Sequence, residues 1–460
     1  MRDDVRREDG AGSEAAYREA RRRSVVGAPR LGTWVRSFVV TLVLCVLWSG
    51  TSVSAQDSDT VAGASPTFGG EFLDRSKLTG DWGGFRSRLA LKGVTLDADV
   101  TQFYQGVTSG GLNRTFQYGG HGDYVMNVDG QKLVGLPGMF IKVRAEHRFG
   151  QNVNNRTGSI LPAALAADLP TPDSDQVYLT NVLLMQFLSE SFGVFAGKLD
   201  TLDGDLNAFA HGRGKDQFLN VALLANPAGL LVAPYATLGA GFVLVKNEVP
   251  WFTFTVLNAS ETIKTAGFNE LFQDGVALAP EARLPTRFFG LTGHQLVGAV
   301  WSSREFTGLN QDPRVLLPNV QTTKNQGSWS AYWNFDQYLI EDPQRPGRGW
   351  GVFARAGLAD KETNPIHWFL SAGIGGNSPI PGREYDTFGV GWFYSKVSDE
   401  TAQFAKAVLA LTSVGQGVEL FYNIGVTPWF HLTPDVQFIK PASERVNSAV
   451  VIGFRAKADF

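Results

Sequence analysis

The chain has 460 residues, of which 43% are hydrophobic, 12% aromatic and 18% charged, with 52 glycines and a formal charge of −3. A near-neutral balance leaves no basic surface for nucleic acid, a single cysteine leaves no disulfide framework, and a mean hydropathy near zero is too polar for a bundle of membrane helices. A transmembrane β-barrel stays open, because only alternate strand residues meet lipid while the others meet water.

The N-terminus reads as an export signal with a long n-region over residues 1–55. Arg21, Arg22, Arg23, Arg30 and Arg36 supply positive charge, Phe38 to Trp48 is apolar apart from Thr41, and Val53-Ser54-Ala55 offers small residues for cleavage before Gln56. That apolar run is well short of the ~20 residues of a spanning helix. Cys45 lies within it, so its removal leaves no thiol for a metal or a nucleophile. Nine Lys/Arg and six Asp/Glu leave with the signal, and the remaining 405 residues carry a formal charge of −6. Residues 56–77 read as an N-terminal extension, and 78–460 as one domain, since no Pro/Ser-rich linker divides them.

Next comes an amphipathic stretch near Trp82 to Leu91, predicted as a short helix capped by Asp81 with Leu89 and Leu91 packed inward. Dyadic segments follow. Val94 to Val100 alternates Val94, Leu96, Ala98 and Val100 with Thr95, Asp97 and Asp99. Phe140 to Phe149 sets Lys142, Arg144, Glu146 and Arg148 against Ile141, Val143, Ala145 and Phe149, with His147 out of pattern. Four charges on one face exclude a dry core on that side. Trp251 to Asn258 sets Phe252, Phe254 and Val256 against Thr253 and Thr255, and Val418 to Val426 sets five apolar residues against Glu419 and Asn423. Val450 to Phe460 places Ile452, Phe454, Ala456 and Ala458 opposite Gly453, Arg455, Lys457 and Asp459, and closes on an aromatic. Turn-forming clusters at 150–158, 310–324, 342–349 and 375–382 separate the segments and predict an antiparallel meander. Aromatic clusters at Trp329 to Tyr338, Trp392 to Tyr394 and Trp429-Phe430 suit membrane girdles. At roughly 25 residues per strand with its connection, the mature length predicts a transmembrane barrel of about 16 strands enclosing water.

Leu78-Thr79-Gly80-Asp81-Trp82-Gly83-Gly84, with Arg86 and Leu89, resembles the N-terminal signature of the carbohydrate-selective porin family, the OprB type, of Gram-negative outer membranes. Collinear matches continue at Gly197 to Asp203, Trp350 to Gly357, Pro381-Gly382-Arg383 with Asp386 to Gly389, Glu419 to Trp429 and Leu432 to Gln437, so the resemblance covers about residues 72–460. It implies a 16-stranded channel for monosaccharides and small oligosaccharides, working by passive diffusion without cofactor or metal. Its surroundings would be outer-membrane lipid and lipopolysaccharide, and the barrel assembly machinery would read the C-terminal strand. Ala458 stands where that strand often carries an aromatic.

A sugar presents hydroxyls and apolar C–H faces, so a selective constriction wants charged groups that hydrogen-bond and an aromatic surface that stacks, bound weakly enough not to block the pore. The face assignment offers Lys142, Arg144, Glu146, Arg148, Lys198, Asp200, Arg355, Glu419, Arg455 and Lys457 as lumen residues. Most are expected to hold one another in salt-bridge networks, and Arg144, Glu146 and Arg148 are the first choices for solute contact by charge density. Asp81, Trp82, Gly83, Gly84 and Arg86 read as a brace at the periplasmic mouth, Thr427-Pro428-Trp429 as a tight periplasmic turn, and Phe460 as the closing aromatic. The rivals are a barrel hydrolase, a secreted adhesin, and a general diffusion porin without sugar selectivity. Against the first, the six histidines show no HExxH spacing and the chain has no Gly-x-Ser-x-Gly elbow.

Overall fold

Alternation along the sequence becomes sixteen strands in a computed structural model that describes residues 68–171, 176–383 and 385–460. The expected signal, with Cys45, and residues 56–67 of the extension lie outside the described residues. The strands are β1 Val94–Ser109, β2 Phe116–Asp129, β3 Met139–Gly150, β4 Tyr178–Ser189, β5 Phe192–Asp200, β6 Ala236–Lys246, β7 Val249–Asn258 and β8 Val276–Phe288, followed by β9 Leu291–Thr307, β10 Lys324–Glu341, β11 Gly349–Ala359, β12 Ile366–Asn377, β13 Thr387–Val397, β14 Val414–Thr427, β15 Phe430–Lys440 and β16 Ala449–Asp459. Each pairs antiparallel with its neighbours in sequence, and β1 pairs with β16, so the barrel closes without a free edge.

The alternation sorts as its polarity requires. On β16, Ile452 and Phe454 face out while Arg455 is fully buried inside; on β14, Leu420 and Val426 face out while Glu419 and Asn423 are buried. The misfit on β3, His147, faces out and stacks between Tyr124 and Phe149, with centroids 5.7 and 5.9 Å away. The aromatic clusters divide. Trp329, Trp333 and Trp392 lie on the exposed outer face, as a girdle needs, but Tyr338 and Phe393 are buried inside, because consecutive strand residues point to opposite faces.

Two-residue connections at 190–191, 247–248, 289–290 and 428–429 lie at the end where β1 starts and β16 finishes. Short turns mark the periplasmic end of such barrels, and Pro428-Trp429 is one of them. The long connections 151–177, 201–235, 259–275 and 308–323 leave the other end. The cluster at 375–382 starts later than expected: residues up to Asn377 still belong to β12.

At the short-turn end, helix α1 (Phe85–Leu91) follows three left-handed residues, Trp82, Gly83 and Gly84; the two glycines are there because a β-carbon disfavours that conformation. The helix starts later than expected, with Gly84 in the N-cap position, and Asp81 accepts the backbone N–H of Ser87 at 2.7 Å from outside the helix. The packing differs from expectation. Leu91 is exposed, and the helix residue that points inward is Arg86, 2% exposed. It donates to the carbonyl of Leu96 in β1 and, at 2.8 Å, to the main-chain oxygen of Phe460, with Phe68 and Trp82 rings 4.7 and 5.0 Å from its guanidinium carbon. Phe460 donates in turn to the carbonyl of Ala98 at 2.8 Å, and Trp429 donates to the carbonyl of Phe72 at 2.8 Å. The N-terminal motif thus bridges the seam where the first and last strands meet.

Candidate functional site

Between β5 and β6, residues 201–235 turn back into the barrel. A connection of this length is too apolar to lie in water: Phe209, Ala210, Phe218, Leu219, Leu223 and Ala228 are at most 1% exposed. All but Leu219, which packs with Phe103, Ala164, Ala166 and Ala167, form a core with Tyr338, Phe353, Phe369, Phe393 and Phe421 of β10 to β14. The wall makes room by omitting side chains. A β-carbon on Gly351 would lie 2.8 Å from the Phe209 ring, one on Gly389 2.6 Å from Phe218, and one on Gly391 2.8 Å from Leu223. A second inward segment, from the β3–β4 connection, locks onto this loop through Leu165 N–H to the Leu219 carbonyl at 2.9 Å and Val221 N–H to the Pro162 carbonyl at 3.1 Å.

The rest of the loop is pinned by charge. Arg213 donates to Glu146 at 2.7 Å, Asp200 at 2.8 Å and the Tyr235 hydroxyl at 2.8 Å, and Tyr235 donates to the other oxygen of Glu146 at 2.5 Å. Lys215 bridges Asp99 of β1 and Asp123 of β2 at 2.6 and 2.7 Å. Lys457 pairs with Asp216 at 2.7 Å, and Arg455 donates to the carbonyls of Gly214 and Gln217 at 2.9 and 2.7 Å. Glu419 accepts the backbone N–H groups of Leu219 and Asn220 at 2.6 and 2.9 Å. Arg355 reaches the carbonyls of Ala210 and Leu223, both at 2.7 Å, and Asp205 at 3.2 Å.

Arg144 and Glu146, first choices for solute contact, are therefore corrected: the structure buries both as loop anchors. Arg144 is 8% exposed between Asp123, Asp200 and Asp203, at 3.3, 3.2 and 2.8 Å, and Glu146 is fully buried. Asp200, Glu419, Arg355, Arg455 and Lys457 face inward with them and serve the same attachment. Arg148 donates to the carbonyl of Asp168 in the second inward segment at 2.8 Å. Lys142, paired with Asp203 at 2.9 Å, stays partly exposed to the lumen. Lys198 is a second correction. It shares its face with Val182 and Leu238 on the outer side of the wall, and its ammonium is held by the carbonyls of Thr262, Ile263 and Thr265 at 2.8, 3.2 and 3.0 Å. The sequence reading missed Asp203, Arg213, Lys215, Glu281 and Arg283. Its available signals were Gly212-Arg213-Gly214-Lys215-Asp216 inside an apolar stretch and the Glu281-Ala282-Arg283 alternation in β8.

The donor atoms of His121, Asp123 and Glu146 lie within 4.8 Å of one another, a spacing compatible with a cation. Lys215, Arg144 and Arg213 already neutralise these carboxylates, so the cluster suits internal ion pairing better than a metal.

Electrostatics of the loop follow from this crowding. Burial alone would raise Asp203, but Arg144, Lys142 and Arg213 hold its carboxyl far below the usual range; Asp216 is likewise held down by Lys457, with Lys215 and Arg455. His211 is lowered to about 4 by burial and by Arg355, Arg213 and Arg283, with Asp203 opposing. A released loop would therefore bind a proton at His211 from about pH 6.5 downward, where the inserted loop does not. Insertion is expected to weaken as pH falls from about 6.5 to about 4. Below the ordinary carboxylate range Asp203 and Asp216 add to the loss, while Asp205, raised by burial, offsets part of it. Single-channel records should become noisier and more conductive between pH 7 and pH 4, and His211→Gln should remove the upper part of that change. A flat record over this range contradicts the assignment.

Among the lumen-facing residues of β6 to β8, Gly241, Thr253, Thr255, Glu281 and Arg283 remain only half-buried. This is the sector that the loop's core and ion pairs leave least filled. Residues 113–460 match the carbohydrate-selective porin, OprB family. The chain belongs to the OprB family. It is 23% identical to Porin B of Pseudomonas aeruginosa over 435 residues, covering 85% of this chain and 92% of that one. The high-pH structure of Pseudomonas putida OprB superposes with a TM-score of 0.73 at 21% identity, covering 85% of this chain and all of that one. The low-pH structure of the same protein gives 0.51 at 18% identity, covering 84% and 99%. OprB membership places the chain in a Gram-negative outer membrane, and family and fold point to a channel rather than an enzyme.

Proposed function

We propose that this porin conducts small sugars, monosaccharides foremost, by passive diffusion along the lumen sector between the inward loop and β6 to β9. The observation that carries the reading is the attachment of residues 201–235 to β1–β3 and β10–β16. It narrows a barrel of this strand number from a wide pore to an eccentric one. Lys142 and Asp203, 2.9 Å apart and each about a third exposed, stand at its edge. Because these charges come as pairs, the path has little net field to favour one sign of ion. A neutral polyol can exchange water hydrogen bonds for side-chain ones as it passes.

Reconstitution of the mature chain in a planar bilayer tests this. Channels whose current falls saturably with glucose, and less with a disaccharide or a non-sugar of similar size, are expected. Current indifferent to every solute would reduce the protein to a general diffusion pore. Export through cleavage after Ala55 and insertion by the barrel assembly machinery reading β16 complete the proposal, with the extension 56–77 leading into the barrel domain 78–460. Lipopolysaccharide and lipid would face the outer aromatics.

A further inference from the structure

β8 runs along the open sector with Ala277, Ala279, Glu281 and Arg283 on its lumen face. Beside Ala279 the wall and loop frame a recess of about 100 Å³, open to solvent, with Glu281 and Arg283 outside its lining. Leu257, Ala279, Val300 and Tyr332 line it on the barrel side, and Gly204 and His211 on the loop side. Apolar side walls ending on a few convergent polar groups are what a sugar ring requires: its C–H face loses water against the former, and its hydroxyls need the latter.

The polar groups at the lower rim are positioned but not consumed. Oε2 of Glu281 accepts from the Tyr332 hydroxyl at 2.8 Å and from Asp205 N–H at 3.1 Å, while Oε1 has no hydrogen bond among the described residues. Tyr332 reaches across because Gly298 lies beneath its ring, where a β-carbon would be 2.3 Å from it. Two residues along the strand, Arg283 has a buried Nε without a partner, and its nearest carboxylate, Asp336, is 3.9 Å away and already bonded to His294 at 2.7 Å. The anchoring ladder on β3 differs in this respect: Arg144 meets three carboxylates, and both oxygens of Glu146 are taken.

We infer that Glu281 and Arg283 form the specificity-determining sugar subsite of the channel, seating one pyranose ring with its apolar face toward Leu257, Ala279 and Val300. Adjacent hydroxyls donate to Glu281 Oε1 and accept from the Arg283 guanidinium, and Tyr332 with Asp205 N–H fixes the carboxylate between them. The inference rests on the sugar-porin reading above. Both contacts are charge-assisted and reach a lumen open to water, so they discriminate hydroxyl geometry while leaving release fast.

The test uses the purified mature porin in planar bilayers, with glucose as the blocking solute. In Glu281→Gln the amide oxygen keeps the bonds from Tyr332 and Asp205 while an NH2 donor replaces the Oε1 acceptor, so the variant removes both the charge and the acceptor without disturbing their support. The glucose concentration for half-block is expected to rise about tenfold, and likewise in Arg283→Ala, with Arg283→Lys recovering part of the loss. A barrel that keeps its compact mobility in unheated SDS confirms folding in each case. Wild-type half-block in both folded variants overturns the subsite alone. Absence of block in the wild-type channel overturns the sugar-selective reading and the subsite with it. If only the Arg283→Ala variant fails to fold, Glu281→Gln decides.

Discussion

Replacing Arg213 with alanine is expected to release the inward loop, raising single-channel conductance severalfold and abolishing saturable sugar block. Its guanidinium is 7% exposed and satisfies Glu146 and Asp200 at once, at 2.7 and 2.8 Å. Removing one partner of a buried ion pair strands the others, which typically costs about 3–5 kcal/mol. Glu146 is fully buried and Asp200 nearly so; without Arg213, among the described residues Asp200 keeps as basic partner only the already shared Arg144 at 3.2 Å and Glu146 only the His121 imidazole at 3.4 Å. Swinging the loop out hydrates both carboxylates, so the barrel has a route of relief that does not require unfolding. Arg213→Lys keeps a charge but not the fork that spans two strands, and should fall between. Wild-type conductance and block in Arg213→Ala would show that the apolar core with β10 to β14 suffices to hold the loop.

The second large effect is expected at the seam. Arg86→Ala removes the donors to Leu96 and Phe460 and the stacking on Phe68 and Trp82. Charge-assisted hydrogen bonds and a desolvated cation–π contact together are worth about 3 kcal/mol. The temperature at which the barrel loses its compact mobility in SDS should drop by roughly 5–10 °C, with sugar block unchanged below it, because the seam lies at the short-turn end and not on the β6–β9 path. An unaltered transition temperature would mean that the β1–β16 ladder closes the barrel unaided.

The strands were legible because a wall between lipid and water imposes opposite polarity on successive residues, and β3, β14 and β16 show it plainly. β1 was seen only as far as Val100, since beyond it Phe103 points inward at 2% exposure and breaks the contrast. Inward charges could be picked out, yet their task could not. Arg144 and Glu146 have partners 59 and 67 residues away on a loop whose path leaves no periodic trace. Lys198 was misplaced for a local reason. Asp200 ends β5 as the cap of the turn that follows, accepting the backbone N–H of Leu202 at 3.0 Å, and its carboxylate turns inward to Arg144 and Arg213, so alternation counted back from Asp200 gives the wrong face. Glu281 and Arg283 were readable as a pair, but nothing in their own strand distinguished them from the denser ladder on β3.

The bare glycines at Gly351, Gly389 and Gly391 carry a consequence for how such a channel can change. On that side the wall does not set the width of the pore; one insert does, seated in notches cut to its shape. Shortening residues 201–235 would leave the hoop of strands intact and turn a narrow, choosy passage into a broad drain with a smooth flank. A differently shaped insert would have to find its footing in the same notches, so the cylinder and its stopper are constrained to vary together.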